Sequence, residues 1–383
     1  MSSGFGRVPM ILAAGLALGL AGCGAPAGSP GAGPAPVPGV YEVWVTSESA
    51  DQVARVRFGP DGGEVVQRRD VGSMPVEIDG PHGVAVSPDG RYVYVTIGHG
   101  MPFGSLWKID AETNELVGQA TLGLFAATVS TTPDGEYGFV SNFNLHGDPV
   151  PSSISKVHLP TMAEVARTET CVMPHGSRVN RQGTYHYSVC MMDQLLVEIE
   201  VGTGEISRTF SVEPGMEGPA GARPAERPMM DHDMGGGAVC SPTWAEPSAD
   251  GSSVFVTCNR GREVVEIDVD RWEIVRRFET GEAPYNLAVT LDGRYLLVSL
   301  RNRTDPALEV YDLSTGRQAG RVPASTTLVH GIAVSPDSRF AFITAEGVGA
   351  EAGKVDMVDL SRMERTASVE VAQQATGIAI VPE

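Results

Sequence analysis

The chain has 383 residues and a formal net charge of −19, with 42% hydrophobic and 20% charged residues. That acidity excludes a duplex nucleic acid as partner, since phosphate binding needs a basic face, and it suits a protein working outside the cytoplasm. Beyond the first residues, no apolar stretch approaches the roughly 20 residues of a membrane-spanning helix.

The N-terminus reads as an export signal over residues 1–22. Arg7 supplies the positive charge, and the apolar run Val8 to Leu20 is too short to remain as a spanning helix. The run ends in Leu20-Ala21-Gly22-Cys23, which resembles the lipobox of bacterial lipoproteins. The resemblance implies cleavage before Cys23 and a diacylglyceryl group on its sulfur, which would hold the chain to a membrane and facing the periplasm or the exterior. The alternative is a plain secretory signal with a chance cysteine. Residues 23–39 are nearly all Gly, Ala, Pro and Ser, a flexible tether that cannot build a core. The folded body is expected over 40–383.

Within that body a strand, a Pro-Asp-Gly-type turn and a second strand recur. The clearest copy runs from Pro81 to Thr96; others run from Phe125 to Ser141, Pro174 to Val189, Pro242 to Thr257, Pro284 to Ser299 and Val329 to Thr344. The turn position holds Asp89, Asp134, Gln182, Asp250, Asp292 and Asp337, and Asp suits a site where the side chain caps a tight turn. Third and fourth strands follow most copies, as in Glu263 to Asp268 and Ile274 to Phe278. Four strands in roughly 40 to 50 residues is the size of a propeller blade. The last segment, Ala375 to Glu383, matches a first strand and stops at the turn; its continuation is Tyr41 to Thr46 at the other end. The expected fold is therefore all-β: a seven-bladed β-propeller of four-stranded antiparallel blades, closed by a composite blade that leaves no free sheet edge.

The repeats resemble the YVTN family of seven-bladed propellers, which includes YncE-like proteins. Val93-Tyr-Val-Thr96 is nearest to the name motif, with weaker copies at Phe255 to Cys258 and Val298-Ser299. The resemblance implies a fold and no one activity, because the architecture hosts many chemistries.

The start of each first strand and the end of each second strand lie on one face of the disc, termed the top. The first positions of the inner strands are His82, Ala127, His175, Thr243, Tyr285, His330 and Thr376. Three histidines thus ring the mouth of the central channel, and imidazole is the commonest metal ligand. The alternative is that Pro-His-Gly and Val-His-Gly are turn sequences the repeat tolerates. Between Gln182 and Asp250 the spacing rises to 68 residues, so an insertion of roughly 20 residues joins blades 4 and 5 on the top face, long for a connection. It carries Met229, Met230, His232 and Met234, while Met191 and Met192 end the second strand of blade 4, with His99 and His146 in the corresponding loops of blades 2 and 3. Thioether with imidazole suits copper; equally, methionines pin irregular loops.

Cys190 and Cys258 share a repeat position at the end of the second strand in blades 4 and 5. Cys171 and Cys240 stand just before the first strands of the same blades. Antiparallel neighbours lie about 5 Å apart, so the register predicts disulfides Cys171–Cys190 and Cys240–Cys258, with thiolate metal ligation as the rival. Arg178 and Glu246 stand where other blades place alanine, and a buried charge needs a partner. They are expected to pair across the blade interface, or else Arg178 holds an anionic ligand.

No nucleophile elbow, Walker loop, dinucleotide fingerprint or haem-attachment motif is present. Three readings follow: a ligand-binding protein of the cell envelope whose mouth takes copper, another metal or a small ligand; an envelope scaffold that docks a protein; or a propeller enzyme of lactonase or oxidase type.

Overall fold

The computed structural model describes residues 39–72, 77–99, 103–221 and 239–382. The export signal, Cys23, the tether and the insertion residues Met229, Met230, His232 and Met234 lie outside them.

The described residues form seven antiparallel sheets in a ring. Blade 1 joins Ala375–Ile380 to Tyr41–Ser47, Gln52–Gly59 and Gly62–Asp70, so the C-terminal strand is its innermost member. Val43 to Val45 pair with Ile380 to Ile378 in register. The inner strands of blades 2 to 7 are Pro81–Val86, Ala126–Thr131, Pro174–Val179, Pro242–Pro247, Pro284–Val289 and Val329–Val334. Each packs on that of the next blade, the contacts from blade 7 to blade 1 and from blade 1 to blade 2 included. The core lies between blades. Trp44, Phe58, Tyr94, Phe139, Tyr187, Phe210, Phe255 and Phe342 are almost fully buried there, which is where period-2 alternation directs every second side chain.

Two devices set the top ends of the inner strands. The residue before each strand adopts the left-handed conformation: Gly80, Phe125, Met173, Ser241, Ala283, Leu328 and Gln374 all have φ between 48° and 61°. Six of the seven are not glycine, so the repeat accepts local strain at the top face to turn the chain into the channel. The second device is a hydroxyl near the end of the second strand. Thr96 donates to the Ala127 carbonyl (2.8 Å), Ser299 to the His330 carbonyl (3.1 Å) and Thr344 to the Thr376 carbonyl (2.7 Å). Each staple ties one blade to the mouth residue of the next. Close approach here demands glycine: a Cβ on Gly331 would meet the Thr376 carbonyl at 2.6 Å, and one on Gly176 the Thr243 carbonyl at 2.3 Å.

Both expected disulfides are formed, with Cα separations of 5.9 Å for Cys171–Cys190 and 4.3 Å for Cys240–Cys258. Such bonds persist in oxidising compartments, which suggests a location outside the cytoplasm. Among the described residues no helix is long and apolar enough to cross a membrane.

His186 is a local misfit. It is fully buried between blades 3 and 4, stacked on Phe139 at 4.8 Å, and neither ring nitrogen has a partner. Burial, helped by the Arg178 charge, pushes its pKa down to about 3, so it is neutral at pH 7. Val254 occupies the same register in blade 5. His186→Val is expected to raise stability by about 1–3 kcal/mol, the cost of an unpaired buried polar group. Denaturant midpoints check this, and a lower midpoint for the variant would refute it.

Candidate functional site

The mouth residues come from four blades and meet at the top of the channel. His82, His175, Tyr285 and His330 form a closed circuit of ring contacts. The centroids lie 5.9 Å apart for His82–His175, 5.6 Å for His175–Tyr285, 4.8 Å for Tyr285–His330 and 5.2 Å for His330–His82. The three histidines are buried. Ala127, Thr243 and Thr376 hold the other places in this register, and their hydroxyls or small side chains serve the backbone: Thr243 Oγ1 donates to the Tyr285 carbonyl at 2.8 Å.

Backing groups set the states of the rings. His175 Nδ1 lies 3.0 Å from the Thr243 carbonyl, which can only accept, so Nδ1 carries the proton and Nε2 the lone pair. Nε2 faces the Tyr285 hydroxyl at 3.3 Å. Burial, then the neighbouring His82 charge, lowers the His175 pKa to about 3. The same causes hold His330 well below the usual imidazole range. Both rings are therefore neutral at pH 7, and His330 Nδ1 has no hydrogen-bond partner.

His82 is tied differently. Its Nδ1 contacts Glu48 Oε2 at 2.9 Å, while Glu48 Oε1 accepts from His99 Nε2 at 2.8 Å, and His99 Nδ1 meets His146 Nε2 at 3.0 Å. Burial works to raise the Glu48 carboxyl, but the His82 charge and the hydrogen bonds from His82 and His99 hold it far below the carboxylate range. Across the mouth, Arg301 clamps Glu346 through two bonds of 2.6 and 3.1 Å, with its guanidinium carbon 5.2 Å from the Tyr285 ring centroid.

His82, His175, His330 and Tyr285, which the sequence placed in one register, do meet at the mouth; the sequence reading missed Glu48, Arg301 and Glu346. A signal for them existed. Each directly follows its blade's second strand, the register that holds Met191 in blade 4 and Phe143 in blade 3, so they form an outer ring around the histidines. Met191 does not enter the circuit. It packs with Met173 against Phe125, Ala127 and Phe143, which makes one side of the top face apolar and the side of blades 6, 7, 1 and 2 charged. Met192 stands partly exposed next to it. Arg178 lies farther down the channel and pairs with Glu246 at 3.3 Å, as expected. Among the described residues no group of three or more His, Cys, Asp or Glu is placed to hold a metal ion.

The fold and the site together define a seven-bladed β-propeller with an imidazole-lined channel mouth. The chain matches no family model and no curated protein. Solved structures do resemble it. Hydrazine synthase from Kuenenia stuttgartiensis superposes with a TM-score of 0.62 at 18% identity, over 81% of this chain and 94% of that one. A functionally unknown protein from Desulfotomaculum acetoxidans gives a TM-score of 0.67 at 14% identity, over 89% and 99%. At these identities the likeness shows the fold alone.

Proposed function

We propose that this chain is an exported, lipid-anchored binding protein of the cell envelope that takes a small ligand at the channel mouth, with a transition-metal ion, copper first, as the ligand class its imidazoles suit. One observation carries the reading. His175 is a neutral imidazole whose Nδ1–H is fixed on a backbone carbonyl, within a circuit that also holds His82 on a carboxylate and His330 with a free Nδ1. Metal-binding histidines are neutral at the ligating nitrogen and are oriented by such partners on the other one. The rings stand edge to face, so a metal would require them to turn toward the channel axis. Cys23 would carry the anchor, and Met229, Met230 and Met234, with His232, would be further candidate ligands.

The test is metal content by mass spectrometry on the purified protein, followed by titration with Cu(I) and Cu(II). One tightly held equivalent is expected, with affinity falling by about 10- to 100-fold in His175→Ala, as for a lost ligand or orienting partner. Protein that stays empty under excess copper refutes the metal reading. A scaffold is the second reading, favoured by Leu124 and Leu145, which stand exposed on adjoining loops of blade 3 where Asn144 N donates to the Leu124 carbonyl at 3.0 Å. An exposed apolar surface of this kind marks protein docking.

A further inference from the structure

The channel below the mouth holds polar groups that the mouth does not use. Arg178 leaves its strand three residues after His175, about 10 Å farther along. Its guanidinium carbon lies 4.6 Å from the Trp244 ring centroid, and its Nη1 donates to the Ser177 carbonyl at 3.1 Å. Arg178, Trp244, Asn286 and His330 line one cavity of about 30 Å³. Three of these residues are buried and incompletely paired. Trp244 Nε1, Asn286 Oδ1 and His330 Nδ1 have no well-formed hydrogen bond, at relative exposures of 4%, 2% and 4%. The Trp244 indole faces the Glu246 carboxyl without completing a bond to it. An amide flip lets Asn286 present an N–H in place of its unpaired oxygen. The cavity is therefore a small space lined by a guanidinium and by residues that carry unpaired buried polar atoms.

We propose that this cavity binds a monovalent inorganic anion of chloride or nitrite size, held by Arg178 and the N–H groups of Trp244 and Asn286. The volume fits one such ion or about two waters, given roughly 10–15 Å³ for each water. Unpaired buried donors beside a guanidinium are what a desolvated anion needs in place of its hydration shell. The cavity adjoins the mouth, because His82 and His330 line it too, but Arg178, Trp244 and Asn286 take no part in the ring circuit above.

Glu246 sets the condition for binding. Its Oε2 lies 3.3 Å from Arg178 Nε, so the ionised carboxylate competes with the anion for the same cation. Burial raises the Glu246 pKa to about 7, against the opposing pull of Arg178 and then Arg181, the charged groups that face it. Below that pH the carboxyl is neutral and the Arg178 charge is free for the ligand. An anion and one proton from solvent therefore enter together, the proton ending on the Glu246 carboxylate, and the net charge of the channel is unchanged.

Bromide is the probe. Anomalous diffraction from crystals of the purified protein soaked in bromide should place one ion within hydrogen-bond reach of Arg178 and Trp244 at pH 6. Calorimetric affinity should weaken about tenfold at pH 8, following the protonated fraction of a group titrating near 7. Arg178→Met should lose the ion, while Arg178→Lys, which keeps the charge, should retain it. Glu246→Gln should bind equally at both pH values. Water alone in the cavity at pH 6, bromide retained in Arg178→Met, or a pH dependence that survives in Glu246→Gln would each overturn the proposal.

Discussion

Deleting residues 375–383 is expected to abolish cooperative folding. The segment is one strand by length, but it is the innermost strand of blade 1 and contacts the inner strands of blades 7 and 2. Its removal exposes Val43 and Val45, which are fully buried, and strips the Thr376 contacts of Thr46 and Thr344. It also leaves the hydrogen-bonding edge of Tyr41–Ser47 unpaired, a template for association. The loss should exceed about 5 kcal/mol, which is the scale of a whole domain's stability. The truncated protein should give no sharp thermal transition by circular dichroism and should elute as oligomers. A monomer with a cooperative transition would show that the ring does not need this strand to close.

Removing both disulfides is the second large effect. Cys171–Cys190 and Cys240–Cys258 close loops with sequence separations of 19 and 18 residues. The loop-entropy estimate for such loops is about 3 kcal/mol each. Together that is about 6 kcal/mol, a large share of the roughly 5–15 kcal/mol of a typical total. Cys171→Ser with Cys240→Ser, or incubation with a reductant, should shift the denaturant midpoint accordingly; a shift worth less than about 1 kcal/mol would mean that the bonds are not formed in solution. The site should feel the first bond most. Cys171–Cys190 lies beside the Met191 N to Met173 carbonyl contact of 3.1 Å, and those methionines pack on Phe143, whose ring is 4.7 Å from that of His175. The cysteine variants should therefore weaken any ligand whose binding depends on His175 more than they weaken bromide at Arg178.

These expectations draw unequally on sequence and structure. The blade count, the composite closure, both disulfide pairings and the top-face register of His82, His175 and His330 were legible in the residues alone. All of them rest on repetition and on two-residue alternation, which are short-range rules that each blade obeys separately. The Arg178–Glu246 pair was legible for the same reason, as two charges at one repeat position in consecutive blades.

Other features belong to the ring as a whole. Glu48 joins His82 to His99 from a different blade, and the Arg301–Glu346 clamp spans blades 6 and 7. That Tyr285 stands between His175 and His330, and that Asn286, Trp244 and His330 line one cavity with Arg178, follows from side-chain direction across the channel. By itself the sequence determined which residues share a register, because register is local. Only the tertiary structure decided which of them meet, because that depends on ring closure and on rotamers chosen by packing between blades far apart in the chain.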